Sequence, residues 1–105
     1  MMARVGERLV IAESQTFQHQ YTFRDAAGAA YDPTTVTCTI LEPDGVQTTY
    51  TYGVGSTVVK SAAGIYYVRI AGAKDGQYVS RFVGTATGYS DADEVAVRVL
   101  PKKVS

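Results

Sequence analysis

Few residues in this chain have side chains suited to chemistry. There is one histidine, one cysteine, a short run of carboxylates and a set of eight tyrosines. A nucleophile–base pair needs a base within hydrogen-bond reach of the nucleophile. The alternation of "TFQHQYTFRD" puts His19 on the same face as Phe17 and Tyr21, so it reads as a core-edge histidine bonded to backbone rather than a catalytic base. Cys38 lies between Val36 and Ile40 on an inward face and reads as an inert buried thiol, because reactive cysteines need an exposed, electropositive setting. The run "DADE", Asp91–Glu94, invites calcium, since hard cations take clustered carboxylate oxygens. Asp32 or Asp75 would join if their loops shared one end of the fold. No Asp-x-Asp-x-Asp-Gly loop is present, and the run reads as a solvated acidic loop before the last strand. No metal and no cofactor are expected.

The bulk composition sets the frame. A chain of 105 residues is the size of one domain, and one domain is expected to fill 1–105, with its core from about 5 to 100 and a frayed tail at "PKKVS". Ten basic residues balance ten acidic ones, so no charge excess points to nucleic acid or to an anionic membrane. A single cysteine leaves no partner for an internal disulfide. No signal peptide is read in "MMARVGERLVIAES", where Glu7 interrupts the approach to the apolar run. No apolar run approaches the roughly 20 residues that span a bilayer.

Thr, Val and Tyr favour strands because branched and aromatic side chains pack on a pleated surface. Period-two alternation recurs along the chain. It runs through "ERLVIAES", "TFQHQYTFRD", "TTVTCTIL", "VQTTYTY", "STVVKS", "IYYVRIAG", "QYVSRFVGTA" and "EVAVRVL". In "EPDG", Pro43 pre-sets the first central dihedral and Gly45 takes the left-handed position. "TGYSDAD" reads as a loop. About seven to eight short strands at roughly 8–12-residue spacing, with no helix between them, predict an all-β antiparallel Greek-key sandwich.

Tyr50, Tyr52, Tyr66, Tyr67 and Tyr78 exceed what one small core holds, and half-exposed tyrosine gives contact area at low entropic cost. Tyr67 shares a face with Arg69. With Arg81 on a neighbouring strand the set predicts a Tyr/Arg patch suited to a protein interface, and Tyr50, Tyr52, Tyr67, Arg69 and Arg81 are its candidates. "VQTTYTY" carries no charge, whereas natural edge strands are usually blunted with Lys or Pro. At an edge, it would be able to pair with a neighbouring chain.

Two resemblances extend this reading. "AKDGQY" ahead of an alternating strand resembles the tyrosine corner of immunoglobulin-like domains, in which a Tyr hydroxyl bonds back to the loop backbone. Asp75, Gly76 and Tyr78 would form that corner. Ser80 stands where such domains usually carry a Cys, and no Trp is present. The resemblance is therefore one of architecture and not of antibody-type chemistry.

A longer stretch, from about Thr22 to Val99, is similar to small immunoglobulin-like virion proteins of tailed bacteriophages and prophages. It rests on the order and spacing of "DAAG" (Asp25–Gly28), "DPTTVT" (Asp32–Thr37), "PDG" (Pro43–Gly45), "TTYTYG" (Thr48–Gly53), "GIY" (Gly64–Tyr66) and "GQYVSRFVGT" (Gly76–Thr85). The resemblance implies a non-enzymatic structural protein of the virion: a head decoration, a head–tail junction piece or a tail accessory subunit. It would be assembled in the host cytoplasm and bind capsid, connector or tail subunits, as a homo-oligomer or in repeated copies. The alternative from another class is a cell-surface adhesion or carbohydrate-binding module.

Overall fold

The computed structural model describes the backbone of residues 4–12 and all of residues 15–100. Eight strands follow in order: β1 (Arg4–Ala12), β2 (Thr16–Thr22), β3 (Thr35–Leu41), β4 (Gln47–Thr51), β5 (Val59–Ala62), β6 (Ile65–Ala71), β7 (Gly76–Ala86) and β8 (Tyr89–Leu100). They form an all-β immunoglobulin-like sandwich. One sheet has the order β1-β8-β7-β3-β4 and the other β2-β6-β5. Pairing is antiparallel throughout, except that β1 runs parallel to β8. The N-terminal segment thus docks in its own sheet, from Arg4 opposite Asp93 to Ala12 opposite Leu100. The expected frayed tail at 101–105 lies outside the described residues.

Three hairpins join neighbours within a sheet, and the connections β2–β3, β4–β5 and β6–β7 cross between sheets. The inward positions of the alternating strands meet in one core. Phe17, Val36, Cys38, Val68, Tyr78, Phe82, Val95, Val97 and Val99 are all buried there. Phe23 is its aromatic centre, meeting Tyr21, Tyr66 and Phe82 edge-on at centroid distances of 5.0, 5.7 and 6.3 Å. These T-shaped contacts add about 0.5–1.5 kcal/mol each beyond area burial.

One expected boundary is corrected. The last strand begins at Tyr89, not at Glu94, and "TGYSDAD" is not a loop. Ala86 pairs with Tyr89 across the two-residue turn Thr87–Gly88, and the ladder continues through Gly84 opposite Asp91 and Phe82 opposite Asp93. Because strand side chains alternate, Asp91 and Asp93 fall in phase with Val95, Val97 and Val99. Both carboxylates are buried rather than solvated.

Candidate functional site

The buried carboxylates build an inter-sheet polar cluster around His19. Its Nε2 lies 2.7 Å from Asp93 Oδ2 on β8, and its Nδ1 lies 2.7 Å from Ser80 Oγ on β7. Cys38 Sγ on β3 approaches Ser80 Oγ at 3.3 Å. An ionised Asp93 only accepts, so Nε2–H donates to it. In the neutral ring Nδ1 then accepts the Ser80 hydroxyl. His19 therefore bonds to side chains of the opposite sheet, which corrects the expectation of a backbone-bonded histidine at the core edge.

Serine, histidine and aspartate in contact resemble a nucleophile–base–carboxylate set. However, Ser80 and Asp93 are fully buried and His19 is 2% exposed, so no substrate reaches Ser80 Oγ in this fold. What the cluster does is join the sheets. β2 and β7 hold the positions that a disulfide bridges in antibody domains, and here the His19–Ser80 bond spans them. Burial pushes the Cys38 thiol up to about 11 against the opposing hydrogen bond from Ser80, in keeping with the inert buried thiol read from the sequence.

Asp91 forms a second buried contact nearby. It accepts the Tyr21 hydroxyl at 2.7 Å, and burial together with this bond raises the Tyr21 pKa well above that of an ordinary phenol. Tyr21, Thr22, Arg24, Asp25, Ala26, Gly28 and Asp91 line a surface cleft of about 420 Å³. Tyr89, whose pKa is pushed up to about 12 by burial and by Asp91, packs tilted against Tyr31 with ring centroids 4.7 Å apart.

The carboxylates named as calcium candidates do not converge. Asp32 is engaged elsewhere: it takes Lys60 Nζ at 2.9 Å and accepts from Gly64 N–H at 2.7 Å and Tyr66 OH at 3.1 Å. These donors, Lys60 first, hold its pKa below the usual carboxylate range. Asp75 precedes β7 at the end away from Gly84, the residue opposite Asp91, which at strand rise is a separation of roughly 30 Å. Among the described residues no group of three or more His, Cys, Asp or Glu is arranged to hold a metal ion.

Tyr78, the residue named for the tyrosine corner, meets the backbone of the loop before β7. Lys74 N–H donates to Tyr78 Oη at 3.1 Å. Gly76 adopts φ +119°, and a Cβ there would lie 2.7 Å from Pro43 Cβ, so this loop packs directly on the β3–β4 turn. Lys74 Nζ fastens the same two segments by bridging Glu42 at 2.8 Å and Asp44 at 2.6 Å. In that turn Gly45 N–H donates to the Glu42 carbonyl at 3.0 Å, and Glu42 N–H donates to the Val46 carbonyl at 2.8 Å.

The five interface candidates do not form one patch. Tyr67 and Arg69 lie together on the outer face of the three-stranded sheet, with the guanidinium carbon 5.1 Å from the Tyr67 ring centre and Nε on Gln18 Oε1 at 3.0 Å. Arg81 belongs to β7, between β8 and β3 in the other sheet, and faces the opposite surface of the sandwich. Alternation gives the side of a strand and not the sheet it joins, which is why the expected neighbourhood fails. Tyr50 packs partly buried against the core from β4 and shares with Arg69 the rim of a depression of about 250 Å³. Tyr52 stands 44% exposed while its ring meets Tyr66 edge-on at 5.2 Å.

β4, whose sequence offers a pairing role only at an edge, is an edge strand. Leu41, Val46, Tyr52 and Val54, four of the exposed large apolar side chains, lie on or beside it; Leu100 lies elsewhere.

Comparison with known proteins bears on the fold. No family model matches the sequence, and no curated protein matches it. Among solved structures, an endo-β-1,4-mannanase from Thermotoga petrophila is similar over 88% of this chain, with a TM-score of 0.59 and 12% sequence identity. The chain corresponds to only 18% of that enzyme's length. The likeness is one of fold.

Proposed function

We propose that this domain is a non-enzymatic structural subunit of a tailed-bacteriophage particle that works by protein–protein binding. The observation that carries the reading is the β4 edge, an uncharged strand flanked by exposed apolar side chains where soluble domains ordinarily place a guard. The motif order from Asp25 to Thr85 supports the virion context. The burial of Ser80, His19 and Asp93 supports a role without catalysis by that trio. Capsid, connector or tail subunits are its partners, and it is present in repeated copies. Quantitative mass spectrometry of purified particles from the source or an induced prophage tests this. Hundreds of copies per particle mean a head decoration or a tail-tube-associated subunit, and a dozen or fewer mean a junction or tail-tip piece. Absence from particles contradicts the reading.

One observation favours a second reading, a glycan-binding module: the cleft beside Tyr21, Arg24, Asp25 and Asp91 offers hydroxyl, cationic and carboxylate groups in one depression. Binding on a glycan array that is lost in Arg24→Ala would support it.

A further inference from the structure

The backbone of β4 divides its hydrogen-bonding groups by parity. Tyr52 N–H donates to the Val36 carbonyl and Glu42 N–H to the Val46 carbonyl. Thr48 and Tyr50 lie opposite Ile40 and Cys38 in the same register. In an antiparallel ladder the hydrogen-bonded pairs alternate with pairs whose groups point away. The even residues therefore serve β3, and the N–H groups of Gln47, Thr49 and Thr51 face the open edge. The Thr51 carbonyl is taken by Val54 N–H at 3.1 Å, and the carbonyls of Gln47 and Thr49 also face outward.

We infer that β4 is a self-association edge, and that two copies of this chain pair antiparallel through it about a two-fold axis at Thr49. A two-fold operator requires a self-complementary patch, and the sequence supplies one. With Thr49 opposite its own copy, Thr48 meets Tyr50, Gln47 meets Thr51, and Val46 meets Tyr52. The strand residues 47–51 carry no charge, so no like charges are set against each other. Val46 and Tyr52, 48% and 44% exposed in the single chain, become cross-strand neighbours at both ends of the ladder, the kind of aliphatic–aromatic pair that stabilises sheets. The two Thr49 residues exchange N–H···O bonds with each other, and each Thr51 N–H donates to a Gln47 carbonyl across the axis. The product is one continuous sheet through both chains.

The other edges lack this combination. β2 has no exposed large apolar side chain, β5 carries Lys60, and the sequence of β1 includes Arg4, Glu7 and Arg8. The pairing stands whether or not the chain is part of a phage particle.

Sedimentation velocity across a concentration series tests it, with three variants. The wild type should shift toward twice the monomer mass at high micromolar concentration. Thr49→Pro removes an N–H that β3 does not use, as edge prolines do. It should stay folded by circular dichroism and remain monomeric. Thr49→Lys sets two ammonium groups together across the axis and should also be monomeric, which keeps the test decisive should the proline variant fail to fold. Thr49→Cys should form a disulfide-linked dimer on mild oxidation, since hydrogen-bonded antiparallel pairs place Cα atoms about 5.5 Å apart. Wild type that stays monomeric overturns the inference. So does a Thr49→Lys dimer of unchanged strength, or a Thr49→Cys protein that does not cross-link. Open-ended polymers would indicate β4–β1 pairing and would overturn the two-fold register.

Discussion

The centre of the sandwich and the edge at β4 treat polar groups in opposite ways. At the centre His19 is held on both ring nitrogens by side chains of the facing sheet, with Ser80 and Asp93 sealed from water. Removing any one member takes a hydrogen bond from a buried polar group. At the edge, the N–H groups of Gln47, Thr49 and Thr51 are offered outward beside exposed Val46 and Tyr52. The difference separates two tasks. Buried, satisfied polar groups fix how the two sheets face each other, while an open, uncharged ladder leaves binding capacity for another chain. The same contrast predicts that damage at the centre lowers stability, whereas damage at the edge lowers association and leaves the monomer intact.

The largest effect is expected at the pin. Asp93→Ala takes the carboxylate acceptor from the buried Nε2–H of His19 and should cost about 3 kcal/mol in urea denaturation, the upper end for a buried donor that loses its acceptor. Adding His19→Leu to an Asp93→Val background should recover part of that loss, because the imidazole no longer lies buried beside a missing carboxylate, while Ser80 Oγ keeps its 3.3 Å contact with Cys38 Sγ. Equal losses in the single and double variants would mean that the cluster does not act as a pair.

Next comes the corner. Gly76→Ala forces an L residue to φ +119° and drives a methyl against Pro43, a strain of about 1–3 kcal/mol. An unchanged unfolding midpoint would show that the loop moves freely away from the turn.

A smaller, pH-dependent effect belongs to Asp32. Lys60 and the Gly64 N–H lower its folded pKa, so its stabilisation is complete above the unfolded carboxylate value of about 4. It is lost only as the pH falls below that, through the lower folded value. Asp32→Asn should flatten part of the acid slope of stability, and identical slopes in both proteins would contradict the assignment.

The smallest effect on stability is expected at the edge. Thr49→Lys should change monomer stability by no more than about 0.5 kcal/mol, as surface substitutions do, while abolishing self-association.

Much of the fold is legible in the sequence because alternation reports faces directly. Phe17, His19 and Tyr21 on β2, and Val36, Cys38 and Ile40 on β3, turn inward as their spacing implies. The corner at Tyr78 and the turn at Pro43–Gly45 are local chemistry and are read locally. Partners distant in sequence are not. Ser80 is 61 residues from His19 and Asp93 is 74, and nothing in either neighbourhood announces the contact. The signal that would have found Asp91 and Asp93 is their phase with Val95, Val97 and Val99, which their acidity and the preceding Gly88 masked. Arg81 fails as a neighbour of Tyr67 and Arg69 because parity carries no record of sheet membership. β1 could be read as a strand, but its parallel pairing with β8 is set by the closed topology and not by its own residues.

The most direct measurement is amide hydrogen exchange by NMR along β4 at low and high protein concentration. At low concentration Thr48 and Tyr50 should be protected by the β3 ladder while Gln47, Thr49 and Thr51 exchange quickly. At high concentration Thr49 and Thr51 should gain protection as the second copy pairs. Exchange at Thr49 that does not change with concentration would contradict the account.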